Sequence, residues 1–125
     1  MRILRLLPLF LIAGAALASA QMPPAMPEGP LPASLKKFDA NYTKTKAAFA
    51  KKPTDKKLKA AFVKAAVVYG HESMTSPDLD ARVKYRKALR LYREALKLDP
   101  KNPVARQELD LIVSIYKQMG RPVPK

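Results

Sequence analysis

The sequence predicts an all-α protein, a four-helix antiparallel helical-hairpin array built from two units of about 47 residues. Three observations carry this. Apolar residues recur at helical spacing in four stretches, and no stretch alternates with period two. Capping residues and prolines stand at the joins between them. The two halves of the pattern also superpose when the chain is shifted by 47 residues.

Residues 1–20 read as a secretory signal. Arg2 and Arg5 form a positive start, Leu6 to Leu17 an apolar run, and Ala18-Ser19-Ala20 a small-x-small cleavage pattern. The apolar run is roughly a dozen residues and holds Pro8 and Gly14, whereas a membrane-spanning helix needs about 20. A signal cleaved near Ala20 is therefore favoured over a retained anchor, and no Cys follows the run as a lipoprotein signal requires. Residues 21–32, QMPPAMPEGPLP, carry five prolines. Proline fixes φ and removes an amide donor, so this segment reads as an extended linker.

The helical domain is expected over residues 33–121, with 122–125 a short tail. A first helix runs from about Ala33 to Lys51, with Leu35, Phe38, Tyr42, Thr45 and Phe49 on one face. A second runs from about Asp55 to Gly70, capped by Thr54, with Leu58, Ala61, Phe62, Ala65, Val68 and Tyr69 as its apolar face. Gly70 to Ser76 reads as a loop. Ser76 then caps a third helix from about Pro77 to Leu98, with Asp78 and Asp80 in its first turn and Ala81, Tyr85, Ala88, Leu89, Tyr92, Ala95 and Leu96 facing inward. Pro100 stops it. Asn102-Pro103 starts a fourth helix, and Gly120 ends it as a left-handed cap.

Under the 47-residue shift Phe38 falls on Tyr85, Tyr42 on Leu89, Ala48 on Ala95, Phe49 on Leu96, Pro53 on Pro100, Phe62 on Leu109 and Tyr69 on Tyr116. Repeats of this length and content form helical solenoids, whose units bury their apolar faces by stacking. Residues 85–120, YRKALRLYREALKLDPKNPVARQELDLIVSIYKQMG, resemble a tetratricopeptide repeat (TPR) boundary. Ala88, Tyr92, Ala95 and Pro100 match the family's spacing of small residue, aromatic, small residue and proline, and Leu109 matches the large apolar position of the next helix. Ala48, Pro53 and Phe62 repeat part of the pattern in the first half. The resemblance implies a TPR-like array that binds a protein partner, with Gln107, Leu111, Ser114 and Ile115 of the fourth helix on the binding face.

The 24 basic and 10 acidic residues set the charge. The signal holds two of the basic residues and none of the acidic ones, so 22 against 10 remain, a net +12. Such a field attracts acidic proteins, anionic polymers and membrane surfaces. There is no Cys, so stability must come from helix packing rather than disulfides. The sequence offers little to an enzyme. His71 is the sole His, standing beside Glu72 with Asp78 and Asp80 beyond, short of the three or four convergent ligands of a metal site. No Gly-rich phosphate loop is present. No catalytic residue, cofactor, metal or small-molecule substrate is expected.

Two surfaces remain. Arg82, Arg86, Arg90, Arg93 and Lys97 form a stripe on the third helix that either grips an anionic polymer or solvates an outer face; Lys51, Lys52, Lys56, Lys57, Lys59 and Lys64 form a second cluster. The fourth helix is apolar nearly all round, with Val104, Leu109, Leu111, Ile112, Val113, Ile115, Tyr116 and Met119. Either it packs in the middle of the four, or it exposes an apolar strip to a partner or to a second copy in a homodimer. The expectation is a non-catalytic protein-binding scaffold or adaptor, periplasmic or secreted. The alternative is a cationic binder of anionic envelope polymers, lipid head groups or extracellular nucleic acid.

Overall fold

Each helix begins where a side chain caps it or a preceding turn feeds it, and those starts set the architecture. The structure, a computed structural model, describes residues 28–125; the signal and the first part of the Pro-rich segment lie outside the described residues. A 3₁₀ turn, Ala33–Leu35, leads directly into α1, Lys36–Lys51. α2 spans Lys56–Thr75, α3 Ala81–Leu98 and α4 Pro103–Gln118, and the described residues contain no strand.

Asp55, not Thr54, caps α2: its carboxylate accepts from the Lys57 and Leu58 amides at 2.9 and 3.0 Å. α2 also runs past Gly70, so the expected loop over Gly70–Ser76 is mostly helix. Those extra turns bury Ser73 and half-bury Met74, which offsets the intrinsic weakness of a mid-helix glycine. α3 starts later than expected. Ser76 is extended, as a residue before proline should be, and its hydroxyl accepts from the Asp78 amide at 3.2 Å rather than capping a helix. The cap is Asp80, which accepts from the Arg82 amide at 2.8 Å. α4 follows the expectation. Asn102 accepts from the Ala105 amide at 3.0 Å, and Pro103 occupies the first turn. Gly120 takes φ +64°, and the amides of Gly120 and Arg121 return to the carbonyls of Lys117 and Tyr116 at 3.0 Å each, the paired bonds of a Schellman cap.

The helices pack as antiparallel hairpins in chain order, α1 on α2, α2 on α3 and α3 on α4, with α2 also meeting α4 along one edge. The α2–α3 interface is the most extensive, so α2 rather than α4 occupies the middle of the array. This explains why α2 buries a wide stripe, Phe62, Val63, Ala65, Ala66, Val67, Tyr69, Gly70 and Ser73, while two residues assigned to its inner face, Ala61 and Val68, are exposed. The α1–α2 interface is aromatic: Tyr42 lies 5.8 Å, centroid to centroid, from both Phe62 and Tyr69, and Phe49 stacks on Phe62 at 5.9 Å. The α3 core is Ala88, Leu89, Leu91, Tyr92 and Ala95, closed from the other side by Ala105 and Ile112. Ala81, expected on that face, precedes the packed region and is exposed.

Both flanks fold back onto this core. Leu31 packs against it from the Pro-rich segment and Val123 from the C-terminal tail. Among the described residues no helix is long and apolar enough to cross a membrane.

Candidate partner-binding groove

Residues along one face of α2 recur at 56, 59–60, 63–64 and 67–68, the spacing of a single helical stripe. That stripe forms one wall of an open groove of about 580 Å³. Leu98 at the end of α3, the Asp99–Asn102 turn and Val104 in the first turn of α4 form the other wall. The floor is aliphatic, from Ala60, Val63, Val67, Val68, Leu98 and Val104, and Lys56, Lys59 and Lys64 line the rim. Val68 and Val104 keep 38% and 47% of their surface in water although nothing polar requires it.

α4 extends this apolar surface. Leu111 is 51% exposed and Ile115 half-buried, and both share a face with Val104 at steps of seven and eleven residues. Gln107 and Ser114 are exposed beside that face and do not line the groove. The open question about α4 is thereby answered: it buries Ala105, Ile112 and Tyr116 against the array and leaves an apolar edge in solvent.

The Arg stripe of α3 is met by the segments that flank the helices, at Glu28 and Pro124. Arg82, Arg86 and Lys97 are exposed. Arg90, also exposed, lies 3.4 Å from Glu28, and Arg93 donates to the Pro124 carbonyl at 2.7 Å. Beside them Lys87, buried by α2 and the N-terminal segment, pairs with Glu28 at 2.7 Å and lies 5.0 Å above the Tyr69 ring. Burial opposes ionisation of Glu28, but the hydrogen bonds and charges of Lys87 and Arg90 outweigh it, and the carboxyl is held below its ordinary value. Nothing in the sequence marks Lys87 as buried, because its partner sits 59 positions away in the Pro-rich segment.

Three of the acids, Asp39, Glu94 and Glu108, join helices. Tyr42 donates to Glu94 at 2.5 Å, Tyr69 to Asp39 at 3.0 Å, and Tyr92 to Glu108, linking α1 to α3, α2 to α1 and α3 to α4. Lys46 also pairs with Glu94 at 2.8 Å. Burial, and then the adjoining carboxylate, push all three phenols above the ordinary tyrosine range, so they remain protonated donors. His71 lies on α2, not in a loop, and its Nδ1 meets Glu108 at 2.7 Å. Among the described residues no cluster of three or more His, Cys, Asp or Glu is placed to hold a metal ion.

The described residues thus form an all-helical hairpin array with an open, lysine-rimmed apolar groove. No protein-family model matches the chain, and neither the search of curated proteins nor that of solved structures returned a match.

Proposed function

We propose that this protein is an exported, TPR-like, non-catalytic adaptor that binds a protein partner along the α2–α4 face. The observation that carries this reading is the distribution of exposed large apolar side chains. Val68, Val104, Leu111 and Met119 all lie on α2, on α4 or at the end of α4. Exposed apolar surface concentrated on one side of a small helical protein marks an interaction site. The TPR-like assignment rests on Ala88, Tyr92, Ala95, Pro100 and Leu109; export to the periplasm or beyond rests on the signal pattern of residues 1–20. The rival reading is a binder of anionic polymers through the Arg stripe of α3 and the lysines; on α3, Arg90 and Arg93 already make contacts within the chain, while the lysines remain exposed.

The test is a photocrosslinking amino acid at position 111 in the producing cell, with the adduct identified by mass spectrometry, followed by recapture of the purified partner. Leu111→Asp should abolish recapture without changing thermal stability, since Leu111 is half exposed. Recapture by the native chain should persist between about 50 and 200 mM salt, where binding to a polyanion would fall by orders of magnitude. Recapture that is insensitive to Leu111→Asp but lost with salt would favour the rival.

A further inference from the structure

We propose that the groove between α2 and the α3–α4 turn takes an acidic amphipathic helix of a partner protein, its apolar side chains on Val63, Val67, Val68 and Val104 and its carboxylates against Lys56, Lys59 and Lys64. This rests on the adaptor reading above and assigns that partner its chemistry.

Charge selects the sign of the occupant. The three rim lysines are exposed, and none is ion-paired among the described residues. The acid that lines the groove, Asp99, accepts from Asn102 Nδ2 at 3.2 Å. The lining therefore carries three lysines against one acid, an excess of positive charge in a chain at +14. A second copy laid into the groove along the same face would set lysine against lysine, an arrangement that opposes association.

Shape selects the kind of occupant. The groove is open to solvent along its length, whereas small-molecule sites enclose about 70–90% of the ligand surface. An open trough buries one stripe of a helix and leaves its polar face in water. From Lys56 to Val68 the α2 wall runs ~18 Å at about 1.5 Å per residue, room for roughly three turns of a partner helix. The floor offers aliphatic surface with no polar group among the four valines, and so asks for apolar anchors rather than hydrogen bonds. Lysines at the edges suit carboxylates flanking those anchors, because a flexible ammonium follows an acid without demanding a fixed geometry.

The experiment measures binding of a fluorescent synthetic peptide of ~15 residues, the length at which isolated helices begin to hold in water. It carries leucines at helical spacing and glutamates on both flanks, and is titrated with the purified chain. The expected result is saturable binding that weakens at least about tenfold in the Lys56→Glu/Lys59→Glu/Lys64→Glu variant, and comparably in Val104→Asp. Val104→Asp keeps the fold, because an acid in the first turn of α4 is favoured by the helix dipole; thermal unfolding checks this. A control peptide with serines for the leucines should bind at least about tenfold more weakly, which separates groove binding from attraction to charge alone. Equal binding of the serine peptide, or full binding by Val104→Asp, would overturn the proposal. So would Val104-dependent binding of sodium dodecanoate by a chain that ignores the leucine peptide, which would assign the groove to a small amphiphile. If the peptide fails while the position-111 partner is still recaptured, this assignment falls and the adaptor reading stands. If recapture is also indifferent to Leu111→Asp, the adaptor reading falls as well.

Discussion

Gly70 sits deep within α2, where glycine is ordinarily worse than alanine by about 1 kcal/mol. Here the usual preference reverses. A Cβ at position 70 would stand 2.6 Å from Cε1 of Tyr92, too close for the ring to stay where it is. The ring cannot swing away freely, because its hydroxyl is bonded to Glu108 and its surface is fully buried. Gly70→Ala should therefore destabilise the protein by ~1–2 kcal/mol, the usual range for overpacking. Thermal or denaturant unfolding reads this, and the penalty should vanish in a Tyr92→Leu background, where alanine regains its helix advantage. Tyr92 is thus held at two points, by the missing side chain on α2 and the carboxylate on α4. The hydroxyl–carboxylate bonds of Tyr42 and Tyr69 tie α1 to its neighbours in the same way.

At the scale of elements, the N-terminal segment behaves as a strap rather than a free spacer, since Glu28 closes on Lys87 and Arg90 of α3. A carboxyl whose folded pKa is depressed contributes stability that is complete above its unfolded value of about 4.3 and is lost as pH falls through the lower folded value. Glu28→Gln should accordingly lower the melting temperature at neutral pH, and the two melting temperatures should converge as the pH falls through the depressed folded value. Curves that remain parallel to the acid end would mean that the strap adds nothing. The helices themselves were legible in the sequence to different degrees, for physical reasons. α4 was read correctly at both ends because Asn102-Pro103 and Gly120 each admit essentially one backbone role. The start of α3 lies later than the sequence suggests because Ser76-Pro77 carries the residues of a cap, yet the hydroxyl is drawn into a local turn and Asp80 is the better acceptor. α2 outruns its expected end at Gly70 because glycine signals an end unless a neighbouring ring needs the space. The apolar edge of α4 was visible as an all-round hydrophobic pattern, but the groove was not. Its floor combines Val68, which reads as core by spacing, with Leu98 and Val104 from across a turn, and its rim residues read as a solvated lysine face.

For the whole molecule, the order α1–α2–α3–α4 leaves an apolar edge and a cationic rim side by side. The balance between them sets the oligomeric state. A chain with this excess of positive charge should be monomeric by size exclusion with light scattering at about 50 mM salt, where repulsion between copies is least screened. A dimer that persists unchanged from low to high salt would instead assign Leu111 and its neighbours to self-association. Dimerisation appearing only as salt rises would show the apolar edge held apart by charge.

Both ends of the described chain tie to one helix: Glu28 holds Lys87, and the Pro124 carbonyl holds Arg93. Six residues separate these anchors, ~9 Å along the axis of α3. Tension applied between residues 28 and 124 is thus borne first across a short length of α3, by two side-chain clasps, before it reaches the turns that join the hairpins. A pull on these two clasps would load a buried stretch of α3 first and leave the groove undistorted until a clasp lets go.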